Sequence, residues 1–172
     1  MASRFKNANR ILILGDSGRG KTTLAQKLSK KLNIQSYSTD DFFWETKFSE
    51  MRDRKKSIEG IRKAYSEDKW IVEGATRHLI NPGLKKANLI IYLAFRDVFS
   101  QWWALIKRNR TRKEESLSNL FKLLRHELYK RYGIGNEKKK PNLLELLEPF
   151  QKKLVVLTSF EEIEKFLKNG RI

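Results

Sequence analysis

Residues 15 to 22 read Gly15-Asp16-Ser17-Gly18-Arg19-Gly20-Lys21-Thr22, a complete match to the pattern G-x-x-x-x-G-K-[ST]. The short apolar run Ile11–Leu14 precedes the match, and Lys21–Leu32 follows it with apolar residues at helical spacing. A glycine-rich turn between a strand and a helix lets successive backbone N–H groups point at one phosphate, and the helix dipole adds its positive end. The stretch therefore predicts a phosphate-binding loop in an α/β fold.

The residues of this loop have different chemical roles. The ammonium of Lys21 can reach the β- and γ-phosphates of ATP, and the hydroxyl of Thr22 can ligate Mg²⁺. ATP and Mg²⁺ are therefore the predicted cofactors. The residues predicted to bind ATP are the loop and the threonine after it: Gly15, Asp16, Ser17, Gly18, Arg19, Gly20, Lys21, Thr22 and Thr23. The alternative is a glycine-rich strand-to-helix turn that binds nothing.

The rest of the chain alternates short apolar runs with longer amphipathic stretches. The predicted strands are Ile11–Leu14, Gln35–Thr39, Trp70–Val72, Leu89–Phe95 and Leu154–Leu157. The predicted helices are Lys21–Leu32, Ser49–Asp68, one capped by Asp97, one at about Ser116–Tyr132, and one opening at the capping box Ser159-Phe160-Glu161-Glu162. Asn81-Pro82-Gly83 predicts a turn. This alternation predicts a three-layer α/β/α fold with a mostly parallel five-stranded sheet. The length of 172 residues favours a single domain over 1–172, with a short arginine-bearing lid inserted at about 108–140.

Two carboxylates follow predicted strands and are candidates for the chemistry. Glu73 comes directly after Trp70–Val72, where it could hold Mg²⁺ through a water molecule. Asp40 follows the second strand, where it could accept a proton from an acceptor hydroxyl and orient it. The alternatives are a solvated strand end for Glu73 and simple capping of the Phe42–Trp44 turn for Asp40.

Arginines supply candidate anion contacts. Arg77 lies a few residues after Glu73 and could bind an anionic acceptor through its fork of donors. Arg108 and Arg112 are one helical turn apart in the basic break Lys107–Lys113, and there they could stabilise the charge on a transferred phosphoryl group. The alternatives are a surface arginine at 77 and a solvated basic turn at 107–113.

The charge balance is strongly basic, with 37 lysines and arginines against 20 acidic residues and a net charge of +17. Such a field attracts polyanions, including nucleic acid, anionic membrane and phosphorylated small molecules, without selecting among them. The sequence has no cysteine, which excludes disulfides, thiolate nucleophiles and thiolate zinc sites. No apolar run approaches the roughly 20 residues that span a bilayer, so a cytoplasmic protein without a membrane partner is expected.

Three stretches together resemble the nucleotide-kinase branch of the P-loop kinases: the phosphate loop, Thr39-Asp40-Asp41-Phe42-Phe43-Trp44, and Val72-Glu73-Gly74-Ala75-Thr76-Arg77. Within that branch, the chain is most similar to the small bacterial proteins described as DNA topology modulation proteins or adenylate-kinase-related kinases. The last stretch is similar to the Leu-Asp-Gly-Phe-Pro-Arg signature of adenylate kinases, with Glu73 in place of the aspartate and no proline before Arg77. The resemblance implies a P-loop NTPase fold, an acceptor-binding role for Arg77, and an adenine site near Thr158-Ser159.

The sequence thus predicts a Mg-ATP-dependent phosphotransferase that acts on a small acceptor, whether a nucleotide, a nucleoside or a hydroxyl-bearing metabolite. Lys21, Asp40, Arg108 and Arg112 are the predicted catalytic residues, Asp40 and Arg77 the acceptor-binding ones, and Thr22 and Glu73 the metal site. The alternative is a nucleic-acid-binding P-loop ATPase or regulator of DNA topology, which the net charge and the Lys138–Lys140 run suggest. A third possibility is a nucleotide-binding protein without turnover.

Overall fold

The computed structural model describes residues 8–16, 18–46, 49–94 and 143–169. Five of the described strands form one sheet: β1 (Arg10–Gly15), β2 (Ser36–Ser38), β5 (Trp70–Gly74), β6 (Leu89–Leu93) and β7 (Leu154–Leu157). Their order is β2-β5-β1-β6-β7, and every neighbouring pair is parallel. The short strands β3 (Trp44–Thr46) and β4 (Glu50–Met51) form a separate antiparallel pair. The predicted α/β class and mostly parallel five-stranded sheet are confirmed.

The described helices connect and cover these strands. They are α1 (Lys21–Leu32), α2 (Thr39–Phe43), α3 (Arg54–Ala64), α4 (Arg77–Lys86), α5 (Leu143–Leu147), the 3-10 helix Glu148–Lys153, and α6 (Phe160–Asn169). None of the helices in the described part of the chain is long and apolar enough to cross a membrane.

The sheet separates two apolar cores because successive residues of a strand point to opposite faces. In β1, Ile11 and Ile13 face the core that includes α1 and α6, whereas Leu12 and Leu14 face the core that includes α3, α4 and α5. All four side chains are fully buried. The central strand is therefore covered on both faces, which is typical of parallel sheets and explains its unbroken apolar sequence.

Some of the predicted helix and strand ends agree with the structure, and others differ from it. The predicted α1 and β7 have the observed bounds, and β6 ends at Leu93. The predicted helix at Ser49–Asp68 is too long, because α3 begins only after Asp53. The Asp53 carboxylate accepts hydrogen bonds from the backbone N–H groups of Lys55 and Lys56, at 3.0 and 3.1 Å, and so caps the helix. The helices predicted after Asp97 and at Ser116–Tyr132, and the lid at 108–140, lie outside the described residues.

The turn predicted at Asn81-Pro82-Gly83 is wrong, because this tripeptide lies inside α4. Leu79, Ile80 and Leu84 of α4 are buried in the core that includes α3, α4 and α5. Gly83 lies against the ring of Tyr65, where an added Cβ would come within 2.5 Å of the ring carbons. Burial of the apolar face therefore outweighs the helix-breaking preference of the proline.

Candidate active site

The phosphate loop joins the end of β1 to the start of α1, at the carboxyl edge of the sheet. Gly18 and Gly20 have φ values of +78° and +80°, a region that favours glycine. Gly20 is also the residue that caps α1, so Lys21 is the first residue of the helix. The loop therefore leads directly into a helix N-terminus, as an anion site of this kind requires. Ser17 lies outside the described residues.

The side chains of Lys21 and Arg19, two predicted ATP contacts, both form hydrogen bonds or ion pairs within the protein. Lys21 Nζ donates a hydrogen bond to the backbone oxygen of Asp16 at 2.9 Å, so the ammonium lies at the loop itself. The guanidinium of Arg19 is instead directed to Asp16 Oδ2 and to the backbone oxygen of Leu93, both at 2.8 Å. Thr23 is exposed on the first turn of α1.

The structure brings together the two residues predicted for the metal. Thr22 Oγ1 donates a hydrogen bond to Glu73 Oε1 at 2.9 Å. Glu73 is the penultimate residue of β5, only 4% exposed, and in register with Ile13 of the adjacent β1. Parallel pairing of β1 and β5 thus places the carboxylate beside the start of α1.

These donors fit Mg²⁺, which prefers oxygen ligands and commonly takes one or two from the protein while phosphates and waters supply the others. In the ranges that the structure describes, there is no group of three or more His, Cys, Asp or Glu side chains that could hold a metal ion alone. A hydroxyl and a carboxylate at hydrogen-bond distance therefore suit an ion that arrives with a nucleotide.

Asp40 lies at the same edge of the sheet. It is the exposed second residue of α2, and β2 before it pairs with β5 so that Ser38 is in register with Glu73. The cap of α2 is Ser38, whose Oγ accepts a hydrogen bond from the backbone N–H of Asp40 at 3.3 Å. Ser38, two residues before Asp40, is therefore the residue that caps α2.

Arg77 begins α4, three residues beyond the end of β5, and is half-buried. The next residue, His78, contacts Phe43 of α2, with ring centroids 6.0 Å apart. Phe43 in turn packs edge-on against Trp44 at 4.8 Å. Burial lowers the pKa of His78, and the positive charge of Arg54 lowers it further. A half-buried aromatic cluster thus lies beside the predicted acceptor residues.

Sequence reasoning missed His78 and Arg52 at this end of the site. Arg52 Nε donates to Glu45 Oε2 at 2.7 Å, and its Nη1 donates to the backbone oxygen of Asp41 at 3.3 Å. Arg52, which directly follows β4, thereby joins this segment to β3 and to the middle of α2. A lone histidine and one arginine among many basic residues gave no pattern that could have identified them. The predicted catalytic residues Arg108 and Arg112 lie outside the described residues.

The turn between β7 and α6 lies beside the phosphate loop. Phe160 is 47% exposed, and a Cβ added at Gly20 would lie 3.4 Å from its Cε1. The predicted capping box is present with one residue's shift: Ser159 Oγ accepts from the N–H of Glu162, while the Glu162 carboxylate accepts from the N–H and hydroxyl of Thr158. An exposed aromatic ring therefore stands on a firmly bonded turn next to the loop.

No protein-family model matches the chain. An uncharacterised protein of Bacillus subtilis (strain 168), YqaC, is 40% identical to it over 68 residues, or 38% of this chain. The match spans 37% of that protein, so just over a third of the relative's length is covered.

Solved structures of two kinds of kinase share the architecture. Shikimate kinases from Acinetobacter baumannii, solved with shikimate, and from Bacteroides thetaiotaomicron have TM-scores of 0.54 and 0.56 at 16% and 14% identity. The alignments cover 95% and 94% of this chain, and 91% and 95% of those kinases. A gluconokinase from Sinorhizobium meliloti 1021 has a TM-score of 0.57 at 12% identity, over 97% of this chain and 90% of its own. Identities this low establish the fold alone: the chain has a P-loop kinase-like fold.

Proposed function

We propose that this chain is a kinase that transfers the γ-phosphoryl group of ATP, with Mg²⁺, to a small acceptor. The observation that carries the proposal is the 2.9 Å hydrogen bond between Thr22 and Glu73, beside a loop that leads into a helix N-terminus. A glycine-rich turn without a ligand has no need of a buried carboxylate at this hydroxyl. The kinase neighbours support the same conclusion at the level of the fold.

In this proposal the chain's own groups bind and orient the reactants. The loop amides and Lys21 hold the triphosphate, and Thr22, with Glu73 through a water molecule, would hold Mg²⁺. The ion would supply neutralisation of charge on the phosphate oxygens. Asp40 orients the acceptor hydroxyl and accepts its proton, a role for which its exposed position at the edge of the sheet is suitable. Arg77 binds an anionic group of the acceptor.

Arg108 and Arg112 remain predicted partners of the transferred phosphoryl group, by the charge argument alone. The base of the nucleotide is proposed to lie against the exposed ring of Phe160. The closeness of this ring to Gly20 supports that position, because a Cβ at Gly20 would lie 3.4 Å from Phe160 Cε1 and the base of a nucleotide bound in the loop extends away from the phosphates.

The acceptor class is proposed from chemistry at the mouth of the site. Arg77, His78 and Phe43 suit an acceptor with an anionic group and a ring or carbon chain. The shikimate bound to one neighbour and the activity named for the gluconokinase add hydroxy acids to the nucleotides and nucleosides that the sequence resemblance suggests.

The proposal is tested by a coupled ADP-release screen with Mg-ATP. The acceptors are nucleoside monophosphates, nucleosides, sugars, hydroxy acids and oligonucleotide ends. Lys21→Ala is expected to lower turnover of the best acceptor by at least about a thousandfold, because it removes the cation at the transferred phosphate. Lys30→Ala, an exposed lysine of the same helix, is the matched control and should retain activity. Full activity in folded Lys21→Ala protein would contradict the proposal.

A further inference from the structure

The phosphate loop contains an arginine that is turned into the protein. Arg19 is only 8% exposed, and arginine is seldom so buried unless it is paired. Its Nη2 lies 2.8 Å from Asp16 Oδ2, and its Nη1 donates to the backbone oxygen of Leu93 at 2.8 Å. Both terminal nitrogens are therefore committed to protein oxygens.

These two partners lie close together where the loop leaves the sheet. Asp16 follows the end of β1, and Leu93 is the last residue of β6, in register with Gly15. A Cβ at Gly15 would lie 2.8 Å from the same Leu93 oxygen, so the backbone of the loop already approaches β6 closely. The Arg19 guanidinium thus fastens the middle of the loop to the neighbouring strand end.

The carboxylate that pairs with Arg19 belongs to Asp16, a residue of the phosphate loop itself. Its side chain is only 15% exposed, and its backbone oxygen accepts the hydrogen bond from Lys21 Nζ at 2.9 Å. A carboxylate in this position places a negative charge inside a loop that is suited to phosphate. Without a cation beside it, that charge would repel the triphosphate and compete with the phosphates for Lys21.

We propose that Arg19 is a positioning residue for the nucleotide and not a phosphate ligand. It neutralises Asp16 and holds the loop against β6, so that the loop has its binding shape before the triphosphate arrives. This inference rests on the proposed nucleotide binding and reassigns the side chain of a residue that the motif alone would place against the phosphates.

The test is a double-mutant cycle on the affinity for Mg-ATP, measured by calorimetry without any acceptor. Arg19→Gln should weaken binding about ten- to hundredfold, because it leaves the nearly buried Asp16 carboxylate uncompensated. Asp16→Asn combined with Arg19→Gln should recover most of that loss, since the two substitutions are coupled through one ion pair. Lys27→Gln, which breaks the exposed pair with Glu164, is the matched control and should change affinity less than about twofold.

A direct phosphate contact by Arg19 makes a different prediction: Arg19→Gln would weaken binding as much in the Asp16→Asn background as in the wild type, and that result would overturn the inference. Arg19→Lys keeps the charge but not the fork that reaches two oxygens at once, so its affinity should fall between the wild type and Arg19→Gln. An Arg19→Lys protein that binds Mg-ATP as weakly as Arg19→Gln would also overturn the inference. If Arg19→Gln does not fold, Arg19→Lys and the double variant carry the test. Wild-type protein that binds no Mg-ATP would overturn the proposed function itself.

Discussion

At Gly74 the backbone of β5 lies directly against Thr39, the fully buried first residue of α2. A Cβ at position 74 would overlap the Cβ, Cγ2 and Oγ1 atoms of Thr39. The φ of Gly74 is +156°, which L side chains rarely adopt. This contact fixes the distance between β5, which carries Glu73, and the helix that carries Asp40.

Gly74→Ala is therefore expected to lower the free energy of unfolding by about 2 to 4 kcal/mol, from overpacking together with backbone strain. Urea denaturation measures the loss. Gly60→Ala is the control, since that glycine lies inside α3 and a Cβ there would meet only the ring of Phe42, with Cδ1 at 3.1 Å and Cε1 at 3.6 Å. It should change stability by about 1 kcal/mol or less. A Gly74→Ala protein as stable as the wild type would show that the contact is not tight.

His78 makes stability depend on pH. Burial, and then the charge of Arg54, lower its pKa, so the folded chain binds a proton at His78 less readily than the unfolded chain does. The contribution of His78 is complete above the ordinary histidine pKa and is lost as the pH falls through the lowered pKa. His78→Gln should therefore lose less stability than the wild type between pH 8 and pH 5, as followed by the urea midpoint. Equal losses in both proteins would exclude this role.

Some residues of the site follow a local sequence pattern and others do not. Thr22 and Glu73 could be predicted as a pair, because the loop motif fixes one and the end of a buried parallel strand fixes the other. His78 and Arg52 could not, because packing of α4 and pairing of β3 with β4 bring them to the site, and neither event leaves a local pattern. The buried orientation of Arg19 could not be predicted either, since its partner Leu93 is contributed by a distant strand.

Among the secondary-structure elements, α4 shows how distant contacts complete a helix. Lys153, at the end of the 3-10 helix, donates from Nζ to the backbone oxygens of Leu84, Lys85 and Ala87 at 2.8, 3.3 and 2.6 Å. These are carbonyls at the C-terminal end of α4, which have no partners within the helix. A positive charge there is also favourable to the helix dipole. Neither the lysine nor the proline-containing helix was evident from local sequence, since the cap arrives from a distant part of the chain.

Lys153→Met should lower the free energy of unfolding by about 2 to 4 kcal/mol, because three charge-assisted hydrogen bonds are lost and the partly buried carbonyls of Leu84 and Ala87 lose this partner. Lys152→Met is the matched control: the neighbouring lysine is exposed, and its loss should cost no more than about 0.5 kcal/mol. Denaturant titration of both variants measures the difference. Equal stabilities would mean that water replaces the ammonium at no cost.

For the whole molecule, the alternation of strands and helices sufficed to predict the layered α/β class. The separate β3–β4 pair was not predicted, because strands of three and two residues are too short to show an alternating pattern. The site nevertheless lies at the carboxyl edge of the sheet, where the next sheet strand after β1 lies on one side of the β1–β6 pair and the next strand after β6 on the other.

Ligand binding at this edge should stabilise the entire domain. Mg-ATP at about a hundred times its dissociation constant adds about 2.7 kcal/mol to the stability of the folded state. For a chain of this size the melting temperature should rise by roughly 5 to 10 °C. Lys21→Ala should show a much smaller rise at the same concentration, as followed by thermal denaturation. An identical rise in that variant would place the nucleotide elsewhere.

The net positive charge of the chain allows a second test, of the alternative that the protein is a nucleic-acid-dependent ATPase. A nucleic-acid-dependent ATPase would bind duplex or single strands with an affinity that falls steeply with the logarithm of salt concentration, and its ATP hydrolysis would rise when nucleic acid is added. A small-molecule kinase shows neither behaviour. The net charge of +17 makes this comparison necessary, and low-salt binding alone does not decide it.

The position of β1 also sets the order of events when the chain is made. β1 consists of residues 10–15, yet both strands that flank it, β5 and β6, come from residues 70–93. At a synthesis rate of roughly 20 residues per second, the first strand waits about 4 s for its second neighbour. Until then the nascent chain lacks β6 and the Leu93 carbonyl, to which Arg19 of the phosphate loop donates. Fragments that end before residue 93 should consequently not bind the triphosphate, although they contain the whole phosphate loop.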